Sequence, residues 1–216
     1  SHEFRTPLAT ILSSVELLED FGPGLLEAER RELFKLVKGA IARMTNMLDQ
    51  VLLIGRADAD RLEFRPAPLD AAALAEAVAR EAERAAGGAS RVSVAARGTG
   101  GPRLLDEKLL RHTLSNLVSN ALKYSPPGSP VELEVESSRD AVTFLVRDCG
   151  IGVPAEDQPR LFESFHRARN VGNIEGTGLG LTIVKQCVEL HGGTVDFESR
   201  PGEGTTFIVC IPGAAA

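Results

Sequence analysis

The sequence lacks several features that mark common classes of protein. No apolar run reaches the length of about 18 residues that a membrane-spanning helix needs, and no signal peptide is recognisable. No basic stripe is present and the net charge is −6, which argues against nucleic acid as a partner. The three cysteines are far apart and form no C-x-x-C pair, which indicates neither a disulfide framework nor a zinc site. We therefore expect a soluble, cytoplasmic chain without membrane contact of its own.

What is present has the composition of an ordinary globular protein. The 216 residues are 43% hydrophobic and 25% charged, and they suffice for one large domain or two small ones. The sequence does not begin with Met and starts in the middle of a helical pattern. We therefore expect it to be part of a longer protein.

The first part of the chain has helical spacing in two segments, which the Gly/Pro stretch "EDFGPG" separates. In both segments apolar residues recur every three or four positions, as in the narrow seam of a coiled coil. The seam residues are Phe4, Leu8, Ile11, Val15 and Leu18 in the first segment, and Leu33, Val37, Ala40, Met44, Met47, Val51 and Ile54 in the second. A two-helix hairpin cannot bury both seams alone, so we predict a homodimer with a four-helix bundle. A hairpin packed on the rest of its own chain is the alternative.

From about residue 67 onward the pattern changes to strands accompanied by helices. "VELEVE" alternates strictly, "AVTFLVRD" indicates a second strand, and "TVDFES" with "TTFIVCI" indicates a closing hairpin. The helices are an alanine-rich one, one that Asp106 caps and "SPPG" ends, and "GLGLTIVKQCVEL" before two glycines. We predict an all-α helical hairpin over residues 1–66. Over residues 67–216 we predict an α+β sandwich, with a mixed sheet that carries helices on one face.

Two polar stretches of the second domain have the residue types of a nucleotide site. "NLVSN" places Asn116 and Asn120 on one face of a helix, where the amides could hold a hydrated magnesium ion. Two surface amides without a ligand are the alternative. "DCGIG" places Asp148 at the end of a strand, where its carboxylate could accept a hydrogen bond from a purine amino group. The glycines would let a ring approach the backbone, although a plain turn has the same pattern.

Two further stretches follow. "GTGLG" opens a helix with Gly176, Gly178 and Gly180, so that free N–H groups and the helix dipole could bind an anion. A hinge is the alternative for this glycine repeat. "LFESF" carries Phe162 and Phe165, whose one-turn spacing is typical of core residues.

In this order along the chain, and preceded by "SHEFRTP", these stretches resemble the sensor histidine kinases of two-component signalling. "SHEFRTP" resembles the H box of that family, "NLVSNALKY" the N box, "DCGIG" the G1 box, "LFESF" the F box and "GTGLG" the G2 box. The resemblance covers essentially the whole chain. It implies a dimerisation and histidine-phosphotransfer hairpin followed by a Bergerat-type ATP-binding domain, with ATP and Mg²⁺ as cofactors.

The resemblance also implies roles for individual residues. Asn120 matches the magnesium ligand with Asn116 in support, while Lys123 and Tyr124 match positions near the phosphates and the adenine. The other nucleotide-binding positions are Asp148, Gly150 and Gly152 in the G1 box, Gly176, Gly178 and Gly180 in the G2 box, and Thr205 in "GEGTTF". Residues 166–175 would form a mobile lid over the nucleotide. Cys149 stands where the family more often has Asn, and we expect little effect on binding.

The opening stretch has the geometry of a reactive surface. At 100° per residue, His2 lies roughly 150° from the helix seam, and Thr6 lies on the same outward face. Glu3 could hold the proton of one imidazole nitrogen and leave the other as a nucleophile. Pro7 cannot donate to the carbonyl of Glu3, so a bend is expected below the histidine. We predict His2, Glu3 and Thr6 as catalytic residues.

The predicted function is that of an ATP-dependent protein histidine kinase. The terminal phosphoryl group of ATP would pass to His2, and from there to an aspartate on a response-regulator receiver domain. Thr6 could assist removal of the phosphoryl group from that partner. A nucleotide-binding scaffold without phosphotransfer and another ATPase of the same fold are the alternatives, and neither needs "SHEFRTP". For His112 we expect a structural or solvated role, for His166 no catalytic role at the start of the lid, and for His191 a cation at a helix C-terminus.

Overall fold

The structure is a computed structural model that describes residues 2–58, 63–86, 91–98, 101–172, 174 and 176–213. The chain divides into two compact units, residues 1–55 and residues 56–216. No helix in the described part of the chain is both long enough and apolar enough to span a membrane.

The first unit is a helical hairpin, as predicted. It consists of α1 (His2–Phe21), a short 3-10 helix (Gly22–Gly24) and α2 (Glu27–Asp58), which continues three residues beyond the unit. The Gly/Pro stretch follows α1. At the start of α2 the carboxylate of Glu29 accepts a hydrogen bond from the backbone N–H of Leu26 (2.8 Å), the residue just before the helix. α1 stays helical through Pro7.

The hairpin has a buried stripe and, beside it, exposed apolar side chains. The least exposed residues of α1 are Pro7 and Ser14, and those of α2 are Ala40 and Met47. Residues seven apart lie on one face of a helix. Large apolar side chains also stay exposed, namely Leu8, Leu12, Val15, Leu17 and Phe21 on α1 and Phe34, Leu36, Ile41, Leu48, Val51 and Leu52 on α2. Several residues of the predicted seam are therefore exposed within a single chain.

The second unit combines helices with two sheets. Its helices are α3 (Ala71–Ala85), α4 (Glu107–Tyr124) and α5 (Gly180–Leu190). Its strands are β1 (Ala67–Leu69), β2 (Val92–Gly98), β3 (Arg103–Leu105), β4 (Val131–Ser137), β5 (Ala141–Arg147), β6 (Thr194–Arg200) and β7 (Gly204–Pro212). Asp70 caps α3 and Asp106 caps α4, each with its carboxylate on backbone N–H groups of the first turn. The sequence pattern does not predict the strands β1, β2 and β3.

The main sheet is mixed and has the order β2-β4-β5-β7-β6. β2 and β4 are parallel, whereas the other neighbours are antiparallel; a parallel pair needs a crossover, and α4 lies in the chain between these two strands. β1 and β3 form a separate antiparallel pair. The predicted mixed sheet is therefore confirmed.

The core lies between one face of this sheet and the helices. Val131, Leu133 and Val135 of β4 are buried, as the strict alternation of "VELEVE" predicts. Leu114 and Leu117 of α4 belong to the same cluster and are inaccessible to solvent. The glutamates between the β4 valines point to the other face. Helices therefore cover one face of the sheet, with α4 against β4 and β5, and α5 against β6 and β7.

Candidate nucleotide-binding site

Asp148 lies directly after β5 and is buried, with 7% of its surface exposed. Its Oδ1 accepts hydrogen bonds from the backbone N–H groups of Gly150 (2.8 Å) and Thr205 (3.2 Å). Burial raises the pKa of the carboxyl, and the two backbone hydrogen bonds oppose that rise. Within the described ranges Oδ2 receives no hydrogen bond. The site therefore presents one oriented acceptor oxygen for a ligand donor.

The loop that follows Asp148 contacts the C-terminal end of α4. The backbone N–H of Ile151 donates to the carbonyl of Tyr124 (3.2 Å). A Cβ atom on Gly150 would lie 2.7 Å from that carbonyl oxygen, so any other residue would push the loop away from the helix. Gly152 has φ +62°, and a side chain there would collide with the carbonyl of Arg200. Gly150 is therefore required for the approach to α4, and Gly152 for the approach to the last residue of β6.

One face of α4 carries the predicted polar residues towards the glycine-rich stretch. Asn116 donates to the carbonyl of His112 (2.9 Å), and its Oδ1 would lie 2.8 Å from a Cβ atom on Gly180. Asn120 lies one turn further on the same face, and its amide makes no hydrogen bond with any described residue. An amide oxygen without a protein partner suits a magnesium ion that keeps most of its waters.

Lys123 extends this surface to the start of the glycine-rich stretch. Its Nζ would lie 2.6 Å from a Cβ atom on Gly176, and it donates to the hydroxyl of Tyr124 (3.3 Å). The ammonium group also lies 4.8 Å from the centre of the Tyr124 ring. The positive charge of Lys123 therefore lies beside the glycine-rich stretch, where it could bind a phosphate group.

α5 begins in the glycine-rich stretch, and its first turn has no side-chain cap. Leu179 occupies the capping position and has no side-chain acceptor, and the first turn contains no acidic residue. Among the described residues no partner is found for the N–H groups of Gly180, Leu181 and Thr182, which lie at the positive end of the helix dipole. Gly178 has φ +69°, and a Cβ atom there would lie 2.7 Å from the carbonyl carbon of Phe165. This arrangement fits a phosphate group.

The predicted nucleotide residues thus lie around the C-terminal end of α4 and the N-terminal end of α5. Thr205 differs from the others, because its side chain is bonded within the protein. Thr205 supports Asp148 through its backbone, and its hydroxyl is hydrogen-bonded to Ser199 (2.8 Å). Its backbone carbonyl also accepts from the N–H of Asp148 (2.9 Å). Thr205 therefore orients the acceptor residue, and Ser199, which the sequence analysis does not single out, holds it in place.

The paired phenylalanines separate. Phe162 packs against the core, with its ring 5.9 Å from that of Phe197, as its spacing predicts. Phe165 is 65% exposed and has φ +64°, which is unusual for a bulky residue. Its N–H donates to the carbonyl of Gly178 (3.0 Å), so the glycine-rich stretch holds this conformation. The prediction of a core role was wrong for Phe165.

His191 also differs from the expectation. Only 8% of it is exposed, and burial lowers its pKa. Its Nε2 accepts from the backbone N–H of Asp106 (3.1 Å), and Nδ1 is 2.7 Å from the carbonyl of Cys187. The ring is therefore neutral and structural, not a cation at a helix end.

The predicted phosphoryl acceptor lies in the other unit. The side chains of His2 and Glu3 fall outside the described part of the structure. Thr6 is exposed on α1, and its carbonyl accepts from the hydroxyl of Thr10 (3.1 Å).

Two family models match the chain at the positions of the two units. Residues 1–60 match the His Kinase A (phospho-acceptor) domain, and residues 105–215 match the Histidine kinase-, DNA gyrase B-, and HSP90-like ATPase. The fold, the buried acceptor Asp148 and the uncapped α5 agree with that pairing. The chain belongs to the sensor histidine kinases of two-component systems, which are protein histidine kinases.

Individual relatives support this assignment. The chain is 36% identical to "Sensor protein IrlS" of Burkholderia pseudomallei, over 100% of this chain and 46% of the relative. It matches the crystal structure of full-length ShkA in complex with AMPPNP with a TM-score of 0.71 and 30% identity, over 100% of this chain and 45% of that one. Histidine kinase AdeS of Acinetobacter baumannii has the same fold, with a TM-score of 0.74, 21% identity and 98% coverage of both chains. The chain spans less than half the length of the curated relative.

Proposed function

We propose that this chain is the catalytic core of an ATP-dependent protein histidine kinase. In this proposal residues 1–66 form the dimerisation and histidine-phosphotransfer domain, and residues 67–216 form the ATP-binding domain. The observation that carries the nucleotide assignment is the buried Asp148, whose Oδ1 is held by two backbone N–H groups while Oδ2 is left for a ligand. An adenine amino group is the donor that fits it.

The remaining residues of the site are proposed to bind the phosphates and the magnesium ion. The first turn of α5, which follows Gly178, holds phosphate oxygens through its free N–H groups, and Lys123 adds a positive charge. The amide of Asn120 would hold Mg²⁺, and the carbonyl of His112 orients Asn116 one turn earlier on the same helix. Bound Mg²⁺ supplies neutralisation of the charge on the phosphate oxygens. Residues 166–175 cover the site as a lid.

Phosphoryl transfer then requires an imidazole with one free nitrogen. Glu3 holds the proton on one ring nitrogen of His2, and the other nitrogen attacks the terminal phosphorus of ATP. An N–P bond forms as the bond from phosphorus to the bridging oxygen of ADP breaks. The phosphoryl group subsequently passes to an aspartate of a response-regulator receiver domain, as the family of the chain leads us to expect.

The exposed apolar stripe of the hairpin supports a homodimer. Leu12, Leu48 and Leu52 are each more than half exposed, and a second hairpin placed against them would complete a four-helix bundle. We propose a cytoplasmic location for this part of the protein, where ATP and a receiver domain are both accessible. A further proposed activity is dephosphorylation of the partner, in which the exposed hydroxyl of Thr6 orients the attacking water.

Incubation with ATP labelled on the terminal phosphate tests the proposal. We expect the label to survive alkali and to be lost in acid, because a phosphohistidine is acid-labile. His2→Gln should bind ATP as the parent chain does and take up no label, since glutamine has no nucleophilic ring nitrogen. Labelling of the variant would assign the acceptor to another residue. ATP binding without labelling of the parent chain would favour a nucleotide-binding scaffold.

A further inference from the structure

Asp157, which has no role in the proposed mechanism, lies a few residues after the G1 stretch and is hydrogen-bonded to the lid, residues 166–175. Asp157 is buried, with 4% of its surface exposed, and precedes a short 3-10 helix (Gln158–Arg160) as its capping residue. A capping aspartate normally accepts from its own first turn, but this side chain makes no such bond. Its Oδ2 accepts instead from the backbone N–H of Arg169, 12 residues away, at 2.9 Å.

A second hydrogen bond, from the side chain of Asn170 in the lid, joins the same part of the lid to the G1 stretch. Asn170 donates from Nδ2 to the carbonyl of Gly152 at 2.8 Å, and Gly152 is the last glycine of the G1 stretch. Arg169 and Asn170 begin a 3-10 helix (Arg169–Val171) within the lid. This turn of the lid is therefore fastened to the G1 side at two points. We call Asp157 and Asn170 the lid clamp.

His166, at the first position of the lid, completes the surroundings of the clamp. Its Nε2 lies 3.5 Å from Oδ1 of Asp157, and the two side chains are 10% and 5% exposed. Among the described residues this nitrogen makes no hydrogen bond. The two oxygens of Asp157 thus face two different points of the lid, His166 and the backbone of Arg169. Removal of the Asp157 carboxylate would therefore leave the backbone N–H of Arg169 without its acceptor.

We propose that Asp157 and Asn170 are positioning residues that hold the base of the lid against the G1 stretch, so that the glycine-rich stretch behind the lid meets the phosphates of ATP. The inference rests on the proposed nucleotide site. The adenine acceptor Asp148 is oriented by Gly150 and Thr205, not by the clamp. Loss of the clamp should therefore weaken the binding of phosphates and leave the binding of adenosine unchanged.

The expected effects separate the clamp from a general structural role. Asp157→Ala should reduce the affinity for ATP about tenfold, because it removes the hydrogen bond between the carboxylate of Asp157 and the backbone N–H of Arg169. Asp157→Asn should restore most of the loss, since the amide oxygen still accepts from Arg169. Asn170→Ala, on an exposed side chain, should reduce ATP affinity several-fold. Affinity for adenosine should stay within about twofold of the parent chain in all three.

Glu156→Gln is the matched control. Its carboxylate contacts the guanidinium of Arg169 at 2.8 Å, but the two side chains are 73% and 78% exposed. Exposed ion pairs contribute little, so ATP affinity should not change.

The measurements use the full chain with Mg²⁺. Calorimetry gives the affinity for a non-hydrolysable ATP analogue, NMR titration gives the affinity for adenosine, and circular dichroism confirms that each variant is folded. Equal ATP affinity in parent, Asp157→Ala and Asn170→Ala chains would overturn the clamp alone. Equal proportional losses for ATP and adenosine, or no recovery in Asp157→Asn, would also overturn it. A parent chain that binds neither ligand would overturn the proposed function, and the clamp with it.

Discussion

Replacing Asp148 by Asn should exchange the base preference of the nucleotide site. In the parent chain, Oδ1 is occupied by the N–H groups of Gly150 and Thr205, and Oδ2 is left as an acceptor. The amide oxygen of an asparagine would take over the bonds to these two donors. Its NH₂ group would then stand where Oδ2 stood and present a donor to the base.

The magnitude follows from the hydrogen bond that is lost. A bond between an adenine amino group and a carboxylate contributes about 1.5–3 kcal/mol, or roughly 10- to 150-fold in affinity. Two facing donors add repulsion to this loss. Inosine triphosphate carries an oxygen in place of the amino group, so the variant amide could donate to it. The ratio of ATP affinity to inosine triphosphate affinity should therefore fall by about 100-fold or more.

The same substitution should not destabilise the protein. Burial raises the pKa of Asp148, so the native state binds a proton more readily than the unfolded state. Stability from this group is present at acidic pH and is lost as the pH rises through the native pKa. The ionised form is thus the less favourable one in the native state, and an amide removes that cost. We expect an equal or larger free energy of unfolding in the Asn variant.

Calorimetric titration with both nucleotides and urea unfolding at pH 7 test these statements. Asp196→Asn, on an exposed residue of β6, is the control for the change of charge. An Asp148→Asn chain that is folded and still prefers ATP as strongly as the parent would refute the assignment of Asp148 to the base.

Three further predictions concern other parts of the molecule. Asn120→Ala should abolish Mg²⁺-dependent ATP binding and leave the fold intact, because the amide has no bond to a described residue; calorimetry with unfolding controls measures both. Thr6→Ala should keep autophosphorylation and lose most phosphatase activity towards the phosphorylated regulator in the presence of ADP, whereas loss of both would indicate a damaged helix. Burial lowers the pKa of His191, so only the unfolded state takes up its proton just below pH 6.5. In urea unfolding, the free energy of unfolding should decrease by up to about 1.4 kcal/mol per pH unit as the pH falls below about 6.5. His191→Gln should remove this contribution to the pH dependence.

Much of the architecture could be predicted from local sequence patterns. The alternation of "VELEVE" specifies a strand with one buried face, and Asp106 before a helical period specifies where α4 begins. Patterns of this kind work because neighbours two or four positions apart share a face of a strand or a helix. The order of the five boxes was sufficient to identify the family. The helical positions of Asn116 and Asn120 could be predicted for the same local reason.

Interactions between distant residues could be obtained only from the tertiary structure. The parallel pairing of β2 with β4, the reach of Asp157 to Arg169 and the neutral state of His191 join positions 39, 12 and 85 residues apart. No local period encodes such pairs, because their formation depends on the packing of all intervening elements. Phe165 illustrates the limit: its spacing from Phe162 is that of a core pair, but the bond from its N–H to Gly178 leaves the ring in solvent. Composition and periodicity determined the elements, and long-range packing decided which side chains meet at the site.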